Sequence, residues 1–207
     1  MAWKIERWLS QVFPGENNIY AEYRGLPPRE LAIVAPAVLD VALTELLTLR
    51  LADDEKEAQD FLGLSGDGRA PAGSFGARIQ LGLLLGLLTP RDAAILRVLK
   101  EIRNIFAHRV RVDFLSPPVL KATIKLHALW LVNAEMLIAS GAISGTTEHI
   151  QALRAHLPNV PEAGEGLLLS VLTLYQAYFH RMHGRVRRIG DALHQAGSGG
   201  YRPHNED

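Results

Sequence analysis

The sequence predicts an all-α fold, a bundle of about six to seven helices. Two observations carry that expectation. Leu, Ala, Glu and Arg, all good helix formers, dominate long stretches of the chain. Extended alternating runs of Val, Ile, Thr or Tyr are missing. With 207 residues, 48% of them apolar, the chain is long enough to bury the core of one domain, and wholesale disorder is excluded.

Residues 1–26 are expected to form an N-terminal helix and a linker, 27–195 the helical bundle, and 196–207 a disordered tail. Over Ala2–Val12, the side chains of Ile5, Trp8, Leu9 and Val12 fall on one helical face. Pro14–Pro28 is rich in Pro, Gly and Asn and reads as the linker. A long helix is expected over Pro28–Ala52. Pro28 suits a first turn, where its missing N–H costs nothing, and Pro36 marks a bend or a division into two segments.

The acidic run Asp53–Glu57 reads as a solvated helix edge or loop, and glycine-rich Phe61–Ser74 as a loop. Phe75–Leu88 reads as a short, very apolar helix. The next boundary is the sharpest on the chain: Thr89 is a good N-cap, Pro90 takes the first helical position, and Asp92 favours the positive helix end. That helix runs to about His108. Val110–Phe114 is expected to be extended, and Ser116-Pro117-Pro118 to start a helix reaching about Ala139. Further helices are expected over Thr146–Leu157 and Glu162–Gln195, separated by Pro158 and Pro161.

Composition removes several function classes. Lys plus Arg number 22 and Asp plus Glu 22, so nucleic-acid binding by bulk charge is not expected, although a local basic patch is allowed. There is no cysteine, hence no disulfide, zinc ribbon or thiol nucleophile in this sequence. Lys4, Glu6 and Arg7 interrupt the first apolar residues, unlike a signal peptide. Asp40 and Glu45 interrupt Ala32–Leu49, and His127, Asn133 and Glu135 interrupt Leu126–Ile143, unlike membrane spans. A soluble cytoplasmic protein without a membrane partner is expected. The glycines from 63 to 76 do not form a phosphate loop, and the histidines lack the H-E-x-x-H pattern, so neither a cofactor nor a metal is expected.

One short string carries most of the functional information: Arg103-Asn104-Ile105-Phe106-Ala107-His108. At ~100° per residue, Ile95, Val98, Leu99, Ile102, Ile105 and Phe106 cluster on one arc and should face the core. Asn104 and His108, four apart, share the opposite arc, and Arg103 flanks them. A guanidinium can hold a phosphate through two parallel hydrogen bonds. An imidazole can exchange a proton near neutral pH. Such a set suits metal-independent RNA cleavage: the 2′-hydroxyl as nucleophile, His108 as general base or acid, Asn104 orienting it, and Arg103 stabilising charge on the phosphate. The structural alternative makes Arg103 a salt-bridge partner and His108 a helix C-terminal cap.

Taken together, Gly73-Ser74-Phe75-Gly76-Ala77-Arg78-Ile79, Leu85-Gly86-Leu87-Leu88 and Ile102-Arg103-Asn104-Ile105-Phe106-Ala107-His108 resemble the mannitol operon repressor-like family of bacteria. The upstream helix with Leu39, Leu43, Glu45, Leu46 and Leu47 resembles that family's first core helix. The likeness covers about residues 30 to 135, and more loosely Arg181 to Leu193. The Arg-Asn-x-x-x-His string also resembles the motif of HEPN (higher eukaryotes and prokaryotes nucleotide-binding) domains, small helical bundles that are often dimeric and include many RNases. The resemblance implies a HEPN-like, mannitol repressor-like core and a regulator of carbohydrate operons. Residues 1 to 26 lie outside it.

Other residues extend the candidate site. Asp40 and Glu45 sit on a strongly apolar helix, and an unpaired buried charge is expensive, so either is expected to pair with Arg78 or Arg103. In the functional version Glu45 orients Arg103 and Arg78 joins the binding site; in the structural version they form an ion pair. Arg181, Arg185 and Arg188 share a face at i, i+4, i+7, either a phosphate-binding strip or a solvated surface. Leu88–Leu96 resembles the first helix of the DNA-binding domain in some response regulators. No turn and recognition helix follow, so direct DNA binding is not expected.

These readings converge on a mannitol operon repressor-like regulatory protein acting through protein or nucleic-acid contacts. The alternatives are a HEPN-type, metal-independent ribonuclease of the toxin or defence kind using Arg103 and His108, and a non-catalytic helical scaffold. The expected partners are a second copy in a homodimer, and RNA or a regulatory protein.

Overall fold

The computed structural model describes residues 26–51, 55–64 and 69–139, with positions 148 and 151. Among the described residues the architecture is all-α. Five helices follow one another: α1 (Pro28–Arg50), α2 (Glu55–Leu62), α3 (Phe75–Leu84), α4 (Pro90–His108) and α5 (Pro117–Ala139). The expected helix over Ala2–Val12, most of the linker, most of the two later helices and the tail lie outside the described residues.

α4 is the hub, packed against α1, α3 and α5. Its start is set by a reciprocal cap. The Thr89 hydroxyl accepts from the Asp92 N–H at 3.1 Å, while the Asp92 carboxylate accepts from the Thr89 N–H at 2.9 Å and from its hydroxyl at 2.7 Å. Such a cap stabilises a helix by ~1 kcal/mol. From there Ile95, Val98, Leu99, Ile102 and Phe106 descend one face and are buried. Ile105, expected on the same arc, is only half-buried, since it lies at the edge of the apolar stripe.

α1 supplies the opposing wall through Leu31, Leu39, Leu43, Leu46 and Leu47, all buried. Pro36 neither ends nor divides it. Its buried hydroxyls are satisfied along the helix: Thr44 donates to the Asp40 carbonyl at 2.7 Å and Thr48 to the Thr44 carbonyl at 2.9 Å. By length and apolarity α1 could cross a membrane, with mean hydropathy 1.8 over its most apolar window. That window is 67% buried within the fold, which is how a core helix passes the same test.

Two boundaries fall elsewhere than expected. Helix α2 includes Glu55–Glu57 of the acidic run, as the helix-edge reading allowed, and takes Phe61 and Leu62 from the expected loop, because Ala58 and Leu62, one turn apart, both bury against the core. α3 opens on Ser74, whose hydroxyl accepts from the Ala77 N–H at 3.2 Å, and ends at Leu84 rather than Leu88. Gly86, at φ 69°, reverses the chain. The N–H groups of Leu87 and Leu88 then both donate to the Gly82 carbonyl, at 2.9 and 3.1 Å, and their side chains bury.

Val110–Phe114 is not a strand; it is a bend and turn held at both ends. Phe114 is buried against Phe106, ring centroids 5.1 Å apart. Asp113 and Ser116 bond reciprocally: the Asp113 N–H donates to Ser116 Oγ at 3.0 Å, and that hydroxyl donates to Asp113 Oδ1 at 2.8 Å. The hydroxyl bond holds the Asp113 carboxyl below its usual range.

Arg78 joins four parts of this unit. From the first turn of α3, its Nη1 donates to Asp40 Oδ1 on α1 at 2.8 Å. Its Nη2 donates to the Leu62 carbonyl at the end of α2 at 2.7 Å, and to the Gly73 carbonyl at 3.4 Å. Burial pushes the Asp40 carboxyl up; the Arg78 bond and charge, and then the Arg103 charge, pull it back. Replacing Arg78 with Met is therefore expected to destabilise the fold by ~3 kcal/mol in urea denaturation, because it leaves a buried carboxylate without its bond. Adding Asp40→Asn should restore part of that loss, and an unshifted midpoint for Arg78→Met alone would refute the role of the pair.

Candidate functional site

The outward face of α4 carries a shallow, largely open depression of about 470 Å³. It is lined by Arg97, Lys100, Glu101, Asn104, Ile105, His108 and Arg109. The spacing 97, 100, 104, 108 traces one stripe along the helix. Apolar burial on the inner face sets the rotation that brings this stripe to solvent. Three cations, an amide and an imidazole thus share one surface with a single carboxylate, Glu101.

Neighbouring elements hold the stripe in place. Arg97 Nη2 donates to Gln80 Oε1 on α3 at 2.7 Å. At the other end Arg29, in the first turn of α1, donates from Nη1 to the carbonyls of Arg109 and Val110, both at 3.0 Å. A cation is favoured where α4 ends, because the last carbonyls of a helix are unsatisfied and carry its negative pole. The Arg109 N–H closes the final turn on the Ile105 carbonyl at 3.1 Å, so His108 sits on a tethered helix end.

The structure divides the predicted site. Asn104 and His108 are exposed and line the depression together. Arg103 is half-buried, does not line it, and instead acts on the Asp40 carboxyl through its charge. Arg78, expected either in the binding site or in an ion pair, is a buried internal tie paired with Asp40. Glu45 does not orient Arg103: it lies ~140° round α1 from Asp40, and its Oε1 is buried without a hydrogen-bond partner. Arg181, Arg185 and Arg188 lie outside the described residues. Among the described residues, no three His, Asp or Glu side chains come together to hold a metal ion.

Sequence reasoning missed Arg97, Lys100, Arg109 and Arg29. The first two were legible: they share the arc of Asn104 and His108, and extending that arc toward the N-terminus reaches Lys100 after one turn and Arg97 after two. Arg29 had no local signal, since its partners are 80 and 81 residues away. Compared with family models, curated proteins and solved structures, the chain matches none of them.

Burial raises the Glu45 carboxyl to about 7. The folded state therefore keeps its proton while the unfolded chain releases it, and stability falls as pH rises from about 4.5 toward 7. Glu45→Gln is expected to match the parent near the lower limit and to melt higher at pH 8. Discounted for partial exposure, the gain is ~1 kcal/mol, or about 2–4 °C in thermal unfolding. A constant difference across pH would refute the assignment.

Proposed function

We propose that this chain is a mannitol operon repressor-like regulatory protein with a HEPN-type core, acting in the cytoplasm, and that its α4 depression takes the phosphate backbone of RNA. The observation that carries the reading is the stripe of Arg97, Lys100, Asn104, His108 and Arg109 on one open concavity of a chain with zero formal net charge. Positive charge gathered locally on a neutral protein serves a particular anionic partner rather than bulk solubility. Guanidinium, ammonium, amide and imidazole groups all donate hydrogen bonds to phosphate oxygens. RNA fits better than duplex DNA, because α4 continues through the motif without a reading helix behind it. Exposed Val110 and Leu115 beside this end of α4, with Ile124, Val132 and Met136 on α5, support a homodimer.

A second reading is a metal-independent ribonuclease, favoured by the exposure of His108 and Asn104 in the same concavity as the cations. His108 takes the proton of a 2′-hydroxyl, the freed oxygen attacks phosphorus, the bond to the 5′-oxygen breaks, and that oxygen takes a proton from solvent water, producing a 2′,3′-cyclic phosphate.

One experiment separates the readings. Labelled single-stranded RNA is incubated with the protein in chelator, and binding and cleavage are followed together. The regulatory reading expects intact RNA and binding that weakens several-fold for Arg97→Ala and Arg109→Ala, each lowering the salt slope by about 0.7. Cyclic-phosphate products that vanish with His108→Ala establish the ribonuclease. RNA neither bound nor cut at low salt removes both.

A further inference from the structure

Two of the strings that carry the family resemblance lie on helices that pack together. Phe75-Gly76-Ala77-Arg78 opens α3, the other string closes α4, and these helices pack together. Gly76 and Gln80, one turn apart on α3, face Lys100 and Arg97 on α4, so the helices cross in opposite directions. Lys100 lays its side chain over the first turn of α3, where a Cβ on Gly76 would overlap the ammonium. A side chain there would push aside only the flexible end of the lysine.

The cations near the motif are employed differently. Arg97 is bonded to Gln80, Arg78 to Asp40, and Arg103 is half-buried and acts on Asp40. Lys100 lines the depression, one turn before Asn104, and has no hydrogen bond or ion pair among the described residues. Its position is poorly explained by stability. A cation near a helix N-terminus opposes the macrodipole, whereas an anion beside it would relieve both charges.

We infer that Lys100, seated on Gly76, is the side chain that takes a phosphate oxygen in the α4 depression, the role the motif alone would give to Arg103. Gly76 is then a positioning residue that acts through Lys100. The inference rests on the depression being a phosphate-backbone site.

The test is the affinity of a labelled single-stranded oligouridylate, measured against salt. Lys100→Met is expected to weaken binding about tenfold and to lower the salt slope by about 0.7, with Lys100→Arg retaining most of both. Gly76→Ala, which shifts only the ammonium end of the lysine, should lose less than Lys100→Met, and Gly76→Ala/Lys100→Met should lose no more than Lys100→Met alone. Lys121→Met, on the exposed side of α5, should change nothing. Melting curves confirm that each variant is folded. If wild type binds while Lys100→Met keeps the full slope, or if the Gly76 and Lys100 losses multiply, the assignment is overturned and the phosphate site stands. If folded wild type binds no oligouridylate at low salt, the site and the assignment both fall.

Discussion

The guanidinium of Arg78 is the constraint on which the rest of the helical unit depends. It is almost fully buried, and its Nη1 and Nη2 donors are met inside the protein while Nε is left without a partner. The acceptors come from the middle of α1, the end of α2 and the loop before α3, segments that bring few other polar groups to the core. Meeting Arg78 therefore fixes where three segments stand relative to one another. Asp40 is the only one of its partners that carries charge, and Arg103 adds a second cation from α4. Because Arg103 lies within the field of Asp40, the motif is attached to the core on one side and open to solvent on the other.

That two-sidedness explains the site. α4 has a capped start, a buried stripe and a tethered end, and each acts on a different property. The cap fixes where the helix begins, Phe106 and its apolar neighbours fix its rotation, and Arg29 fixes where it stops. The polar stripe is what remains on the outside once those three are satisfied. The concavity lies along one helix, with Arg109 just past its end as the exception, which suits a surface that must present several donors at fixed spacing.

Much of this was legible from local pattern. The boundary at Thr89-Pro90 and the core face of α4 follow from capping chemistry and helical periodicity, both of which act within a few residues. The exposure of Asn104 and His108 follows from the same periodicity. α2 was only partly legible: its charge fits a solvated helix edge as well as a loop, and Ala58 and Leu62 are a minimal apolar pair that suffices where a long helix already offers a wall. The end of α3 was obscured because Leu87 and Leu88 are apolar enough to prolong a helix, and only the φ of Gly86 turns them back. For Arg103 and Arg78 the sequence left a binding role and an ion-pairing role both open, and Arg78 takes the second with Asp40. A guanidinium serves a ligand or a buried carboxylate equally well, and only the tertiary position of Asp40 decides between them. The same blindness applied to Arg29, whose acceptors lie at the far end of another helix.

Phe106 sits at zero exposure between Arg103 and His108 and rests on Phe114 beyond the turn. Each residue of an α-helix advances the direction of the next by about 100°. With the ring locked, the chain length from Phe106 to His108 sets the bearing of the imidazole. Adding or deleting one residue there would swing it away from Asn104, while many exchanges of letter on the wet side would leave its heading intact. Drift in this segment should thus preserve spacing more strictly than identity.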